Sequence, residues 1–430
     1  MKHGILTLCL ALLCGWVAAQ QVTVTGRVNR SEALVRLMVY DDLLTMHETE
    51  VAQTTSDAQG FFMLEGTVDQ VTPACLAVDL DRVDWVVSPG ASYEVTVTLP
   101  EAYPTQSYFE RPMPTLRIKT ATDGGRYRQL VVSEQVVNAY VLDYFDPLFR
   151  RRQYRYLDSI KMAVQSELVG HDTYVEQYNT YKIASVQMAV NADGGKKVID
   201  AFYDGKPVLY RCQSYMDLFK DLFKSNELDP DFLRRNPQLA ELIHLYRWRN
   251  LYNEEPRARK AVREQLQRLR TKTQYAETRQ LVDHVLAEFD RFATGAPAPD
   301  FALKDAAGST VRLSDFKDRL VVLQFVEGTS ATVEHQFETL ADLHHQWQDS
   351  VQLITVSTKD QLAAHRKRFE EHRYDWPLLN LGNDLLLLEG YEVRTFPEYF
   401  IILPGTQIGM APAPSPDQTL DRHVTRLYRK

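Results

Sequence analysis

The chain of 430 residues carries 49 Lys and Arg against 57 Asp and Glu, a formal net charge of −8, with 44% hydrophobic and 25% charged residues. That length holds roughly two to four domains, and that composition excludes a fibrous, collagen-like or largely disordered chain. The acidic balance lacks the clustered Lys and Arg that nucleic acid requires, and 4 cysteines are too few for a disulfide scaffold.

Residues 1–19 read as a signal peptide. Lys2 and His3 form a charged start, Ile5 to Leu13 are almost wholly apolar, and Val17-Ala18-Ala19 supplies small residues for cleavage after Ala19. The apolar stretch is too short for a transmembrane segment, which needs ~20 residues, and no later stretch reaches that length. The mature protein is therefore expected to be exported, in the periplasm or associated with the outer membrane. A lipoprotein anchored at Cys14 is the rival reading, but Leu13 stands where lipid attachment wants a small residue. Cleavage leaves Cys75 and Cys212, which allow at most one disulfide.

Residues 20–122 show short alternating runs broken by turn residues, such as VTVTGRV, GFFMLEGTV and YEVTVTL. They predict an antiparallel β-sandwich of about six or seven strands. Asp79, Asp81 and Asp84 resemble the start of a calcium loop, but the required glycine and terminal glutamate are absent, so they predict a turn. Residues 123–293 predict a helical region, because apolar residues recur at three- and four-residue steps in Leu130 to Leu148, Tyr174 to Val190 and Leu239 to Tyr252. Within it, Phe149 to Tyr156 interleaves basic and aromatic residues and is expected at a helix junction, with a protein or anionic-surface contact as the alternative. The run Thr294-Gly295-Ala296-Pro297-Ala298-Pro299 predicts a linker.

Residues 294–430 alternate strand and helix: RLVVLQFV, then a helix with Val333, Phe337, Leu340, Leu343 and Trp347 on one face, then VQLITVST, a charged helix, EYFIILP and a closing helix. That alternation implies a sheet with helices on both faces. The fold class is thus multidomain α+β, with an N-terminal β-sandwich, a helical middle region and a C-terminal α/β domain. His335, His344, His345, His365 and His372 crowd the last domain. None has the spacing of a zinc motif, so they are expected on solvated helix faces, with no metal. No cofactor is expected either, since no phosphate loop or nucleophile elbow is present.

The run APDFALKDAAGSTVRLSDFKDRLVVLQF, the helix after it, VQLITVST and YEVRTFPEYFIILPG resemble the thioredoxin-like redoxin domains of exported multidomain Bacteroidetes proteins, in the alkyl hydroperoxide reductase and thiol-specific antioxidant superfamily. KPVLYRCQSYMDLF, DFLRRNPQLAELIHLYRWRNLY and the tail APAPSP resemble other segments of such proteins. The resemblance implies a thioredoxin-like fold in which Pro397 matches the cis-proline beside the active site. It also implies a Cys-x-x-Cys where the first long strand meets its helix, because the helix N-terminus lowers the pKa of the first thiol and the second resolves the mixed disulfide. Here Ser330 and Val333 stand in those places, and no cysteine follows Cys212.

A serine hydroxyl has no redox couple and stays protonated without an activating base. Thr329 or Ser330 is therefore expected to cap the helix. The leading expectation is a redox-inactive module, not an enzyme, that binds peptide or protein partners in the cell envelope through Gly328, Thr329, Ser330, Phe396 and Pro397. The alternatives are a periplasmic thiol-disulfide oxidoreductase or peroxidase-like protein using Cys75 or Cys212, and a structural subunit of an envelope assembly. Cys75 and Cys212 are expected as buried structural thiols or, alternatively, as one disulfide.

Overall fold

The computed structural model describes residues 20–79, 81–100, 113–168, 170–190, 195–224, 226–347, 350–358, 361–382, 384–393 and 395–428, so the expected signal peptide lies outside the described residues. The first region contains β1 (Gln20–Val28), β2 (Leu34–Tyr40), β3 (Glu48–Thr55), β4 (Phe61–Val68), β5 (Thr72–Val78), β6 (Asp81–Val87), β7 (Ser92–Thr98) and β8 (Thr115–Ala121). They form two four-stranded sheets, ordered β4-β1-β7-β8 and β3-β2-β5-β6. All neighbours are antiparallel except β1 and β7, which run parallel. β8 exceeds the expected number of strands, because its apolar signal is confined to Leu116 and Ile118.

Alternation places Val22, Val24, Val35, Leu37, Leu64, Leu76, Val95 and Val97 between the sheets. The turn before β4 forms as its residues dictate. Asp57 accepts the N–H groups of Gln59 and Phe61, and Gly60 has φ +82°, where a Cβ would collide with the Val28 carbonyl. β5 and β6 pair as an antiparallel hairpin, with Asp79 after β5 in the left-handed region and its carboxylate accepting from Leu34 N–H.

The helical region contains α1 (Arg126–Asp143), a π-helical turn at Asp146–Arg150, α2 (Arg155–Glu167), α3 (Thr173–Val190), α4 (Lys196–Phe202), α5 (Gln213–Phe223), α6 (Pro230–Arg235), α7 (Pro237–Glu254), α8 (Arg259–Lys272) and α9 (Ala276–Arg291). The basic and aromatic run from Phe149 to Tyr156 falls at the junction between the π-helical turn and α2. β5 is buried along its whole length. Its Ala74, Leu76 and Val78 fill the sandwich core, while Cys75 and Ala77, with Met38 and Tyr40 of β2, face helices instead. One core thus joins the outer face of the β2–β5 sheet to α3, α5, α7 and α9.

The last region contains β9 (Ala302–Asp305), β10 (Thr310–Arg312), β11 (Leu320–Val326), α10 (Ala331–Trp347), β12 (Val351–Ser357), α11 (Leu362–His372), β13 (Leu378–Asn380), α12 (Leu385–Gly390), β14 (Glu398–Leu403), β15 (Gln407–Ala413) and α13 (Leu420–Tyr428). Its seven-stranded sheet has the order β10-β9-β13-β12-β11-β14-β15. β11 is buried on both faces, with Val321, Leu323 and Phe325 in one core and Leu320, Val322 and Val326 in the other. The expected apolar face of α10, Val333 to Trp347, is buried.

The 294–299 segment is not a free tether. Gly295 donates to Ile408 O at 2.7 Å, Ile408 donates to Ala296 O at 2.7 Å, and Ala298 donates to Thr406 O at 2.9 Å. The Pro and Ala residues that suggested a linker leave enough N–H groups to dock the segment on the β14–β15 hairpin.

Candidate binding site

β11 is an interior strand of this sheet, parallel to β12 on one side and antiparallel to β14 on the other. The register brings the named residues to one edge. Phe325 pairs with Glu398, so Phe396-Pro397, just before β14, leaves the sheet beside the 327–330 loop that follows β11. Val326 pairs with Ser357 and accepts a hydrogen bond from Thr358 N–H at 3.3 Å, which adds the end of β12 to the same edge. The surface outside the carboxyl ends of parallel strands is where α/β sheets bind ligands. Thr329 and Ser330 are exposed, while Gly328, Phe396 and Pro397 are half-buried. The Phe396–Pro397 peptide is cis.

The loop between β11 and α10 is held from two directions. Ser330 caps α10: its carbonyl accepts Glu334 N–H at 3.0 Å and its Oγ accepts Val333 N–H at 3.4 Å. Gly328 has φ +76°, a conformation that favours glycine. Its carbonyl accepts a hydrogen bond from His365 Nε2 at 2.8 Å, and His365 Nδ1 lies 2.8 Å from Ser357 Oγ.

His365 corrects the expectation of a solvated histidine: it is 0% exposed. The Gly328 carbonyl can only accept, so Nε2 carries a proton, and burial lowers the imidazole pKa, so the neutral ring receives the Ser357 hydroxyl at Nδ1. The pair resembles a catalytic Ser–His dyad in distance alone. Ser357 and His365 are both sealed from solvent and substrate. The signal in the sequence was the spacing of His365 and Phe369, four residues apart on a helix whose remaining positions are mostly charged, which puts both on the buried face.

Ser330 is exposed and committed to its cap, and Val333 is buried in the core under α10. No thiol stands at this edge, since the chain has no cysteine after Cys212. Cys75 and Cys212 lie in the core shared by the sandwich and the helices. The disulfide weighed for them is not formed, and both are free thiols. Burial pushes the Cys75 thiol up to about 12 and raises Cys212 as well. Neither environment favours the thiolate that exchange chemistry needs.

A cleft of about 750 Å³ lies away from this edge, between the sandwich, the start of α3 and α9. Asp42, Val71, Tyr174, Arg211 and Gln280 are among its walls. Nothing in the sequence marked it, because its lining comes from segments far apart in the chain. Among the described residues no helix is long and apolar enough to cross a membrane.

Residues 294–408 match the AhpC/TSA family, so the C-terminal region carries a redoxin-type domain similar to those of that family. Thiol-disulfide oxidoreductase ResA of Bacillus subtilis (strain 168) is 26% identical over 121 residues, covering 28% of this chain and 67% of that protein. Among solved structures, the thioredoxin domain of a thiol-disulfide oxidoreductase from Bacteroides vulgatus is 26% identical, with a TM-score of 0.28, covering 31% of this chain and 98% of that one. A thiol:disulfide interchange protein from Bacteroides sp. is 24% identical, with a TM-score of 0.30, covering 33% of this chain and 93% of that one.

Proposed function

We propose that the redoxin domain binds extended peptide or protein segments without exchanging disulfides, and that the whole chain is an exported binding or assembly module of the cell envelope. The observation that carries this reading is the strand–helix junction at 326–333, where a capping serine and a core valine stand at the two positions for which the family resemblance implies thiols. Gly328, Thr329, Ser330, Phe396 and Pro397 then line the groove. Exposed loop backbone at the ends of the interior strands β11 and β14 suits a ligand held largely by main-chain hydrogen bonds. The rival reading, thiol chemistry on Cys75 or Cys212, draws no support from two buried thiols with raised pKa values.

The test pairs an insulin-disulfide reduction assay with selection from a random peptide library on the purified chain. The expected outcome is no reductase turnover, together with selected peptides that lose at least about tenfold in affinity against Phe396→Asp, a difference of ~1.4 kcal/mol. Thr329→Arg, at an exposed position, supplies the same test if the Phe396 variant folds poorly. Thiol-dependent turnover, or peptide binding indifferent to both substitutions, defeats the proposal.

A further inference from the structure

The loop between β2 and β3 and the helix α9 bring two histidines and two aspartates together across the junction of sandwich and helical region. Asp41 and His47 bracket the base of the loop, where Asp41 N–H donates to His47 O at 2.8 Å. The His47 and His284 rings are stacked, with centroids 3.9 Å apart and planes 11° from parallel. Each Nδ1 faces a carboxylate: His47 lies 2.8 Å from Asp41 Oδ2, and His284 lies 2.7 Å from Asp42 Oδ2. One ligating atom from each of Asp41, His47 and His284 falls within 4.8 Å of the others.

We propose that Asp41, His47 and His284 form a binding site for a divalent metal of the Zn²⁺ class. Imidazole nitrogen and carboxylate oxygen are the donors that Zn²⁺ takes at about 2.0–2.2 Å, and three protein ligands leave a fourth position for water or a further ligand. Asp42 has the position of an orienting carboxylate. By holding His284 at Nδ1 it leaves Nε2 as the coordinating nitrogen, the arrangement common around metal-bound histidines. Asp42 is itself fixed by Leu44 N–H at 2.8 Å and Thr45 N–H at 2.6 Å, so His284 is presented by a rigid base.

The atoms must close by roughly 1 Å to coordinate one ion, and the stacked rings cannot both aim at it as they stand. His47 is the side that can turn, since its side chain is 44% exposed whereas that of His284 is 14% exposed. The contact that His47 and Asp41 now share would be replaced by a shared metal. Asp41 and Asp42 also line the 750 Å³ cleft, so the bound ion would border it.

The test uses the full chain after chelator treatment, titrated with Co²⁺ followed by visible absorption and with Zn²⁺ followed by calorimetry. One equivalent of metal is expected to bind, weakened at least tenfold in His47→Gln and in His284→Gln and about 10–100-fold in Asp42→Asn. His423→Gln, on α13 in another domain, is expected to leave binding unchanged. Circular dichroism checks each fold, and the half-exposed His47 decides the matter if the His284 variant is unstable. Absence of saturable binding, or stoichiometric binding that survives His47→Gln, overturns the site and leaves the stacked histidines as an ion-paired clasp between the two regions.

Discussion

His365 shows how one buried polar residue can set the shape of an exposed loop. Its ring spans Ser357 and the Gly328 carbonyl, and its edge meets Phe337 with centroids 5.7 Å apart. Replacing it by phenylalanine keeps the volume but leaves the Gly328 carbonyl without its donor, at a cost of about 1–3 kcal/mol by chemical denaturation. The same residue carries a pH dependence of known sign. Burial holds its pKa below the ordinary histidine value of about 6.5, so between the folded and unfolded pKa values the unfolded chain binds more protons. Stability is therefore expected to fall as pH drops below about 6.5, and His365→Phe should remove that part of the slope. An unchanged slope in the variant would assign it to other groups.

At the scale of the element, α10 is built to start at Ser330. The residue supplies the cap, Glu334 in the first turn pairs with Arg368 of α11, and the face from Val333 to Trp347 meets the sheet. Ser330→Ala is expected to cost about 0.5–1 kcal/mol, because the Oγ to Val333 N–H contact is long at 3.4 Å, and urea unfolding of the pair of proteins measures it. A loss well above that range would mean that Ser330 holds more than a helix terminus. β11 shows a second device. Gln324 lies wholly buried in this apolar strand, accepts from Thr355 Oγ1 at 2.8 Å and donates to Tyr399 Oη at 3.0 Å, and Tyr399 in turn donates to Gln336 Oε1 at 2.8 Å. The network satisfies four side chains at once, which ties α10 to three strands in one register.

Across the whole molecule, the three regions meet at a short segment just upstream of the candidate groove. Arg36, on the outward face of β2 and 2% exposed, forms an ion pair with Glu389 at the end of α12. Arg291, at the end of α9, pairs with Glu392 and donates to Glu389 O at 2.7 Å. The sandwich and the helical region thus both grip residues 389–392, a few positions before Phe396-Pro397. Arg36→Met is expected to destabilise the chain by about 1–2 kcal/mol, less than loss of one partner from a fully buried pair, because Glu389 keeps 36% side-chain exposure. Hydrogen exchange should report the change as faster exchange concentrated at 385–393. Exchange altered only inside the sandwich would show that Arg36 acts locally.

Local pattern was enough to define most of the sandwich strands, the apolar face of α10 and the two buried interior strands β11 and β12, because each of these depends on residues close together in the chain. The same reasoning put His365 in solvent, where the tertiary partners Gly328 and Ser357 decided otherwise, and read 294–299 as a linker without revealing that it docks on the β14–β15 hairpin. Cys75 and Cys212 read as buried from their neighbours, yet only packing revealed that they share one core, formed between the sandwich and the helical region. The cluster of Asp41, His47 and His284 was invisible for the same reason, since its spacing follows no motif and its geometry exists only where α9 packs against the β2–β3 loop. Side-chain periodicity encodes which face of an element is buried, whereas the identity of what covers that face is set by contacts between segments far apart in the chain.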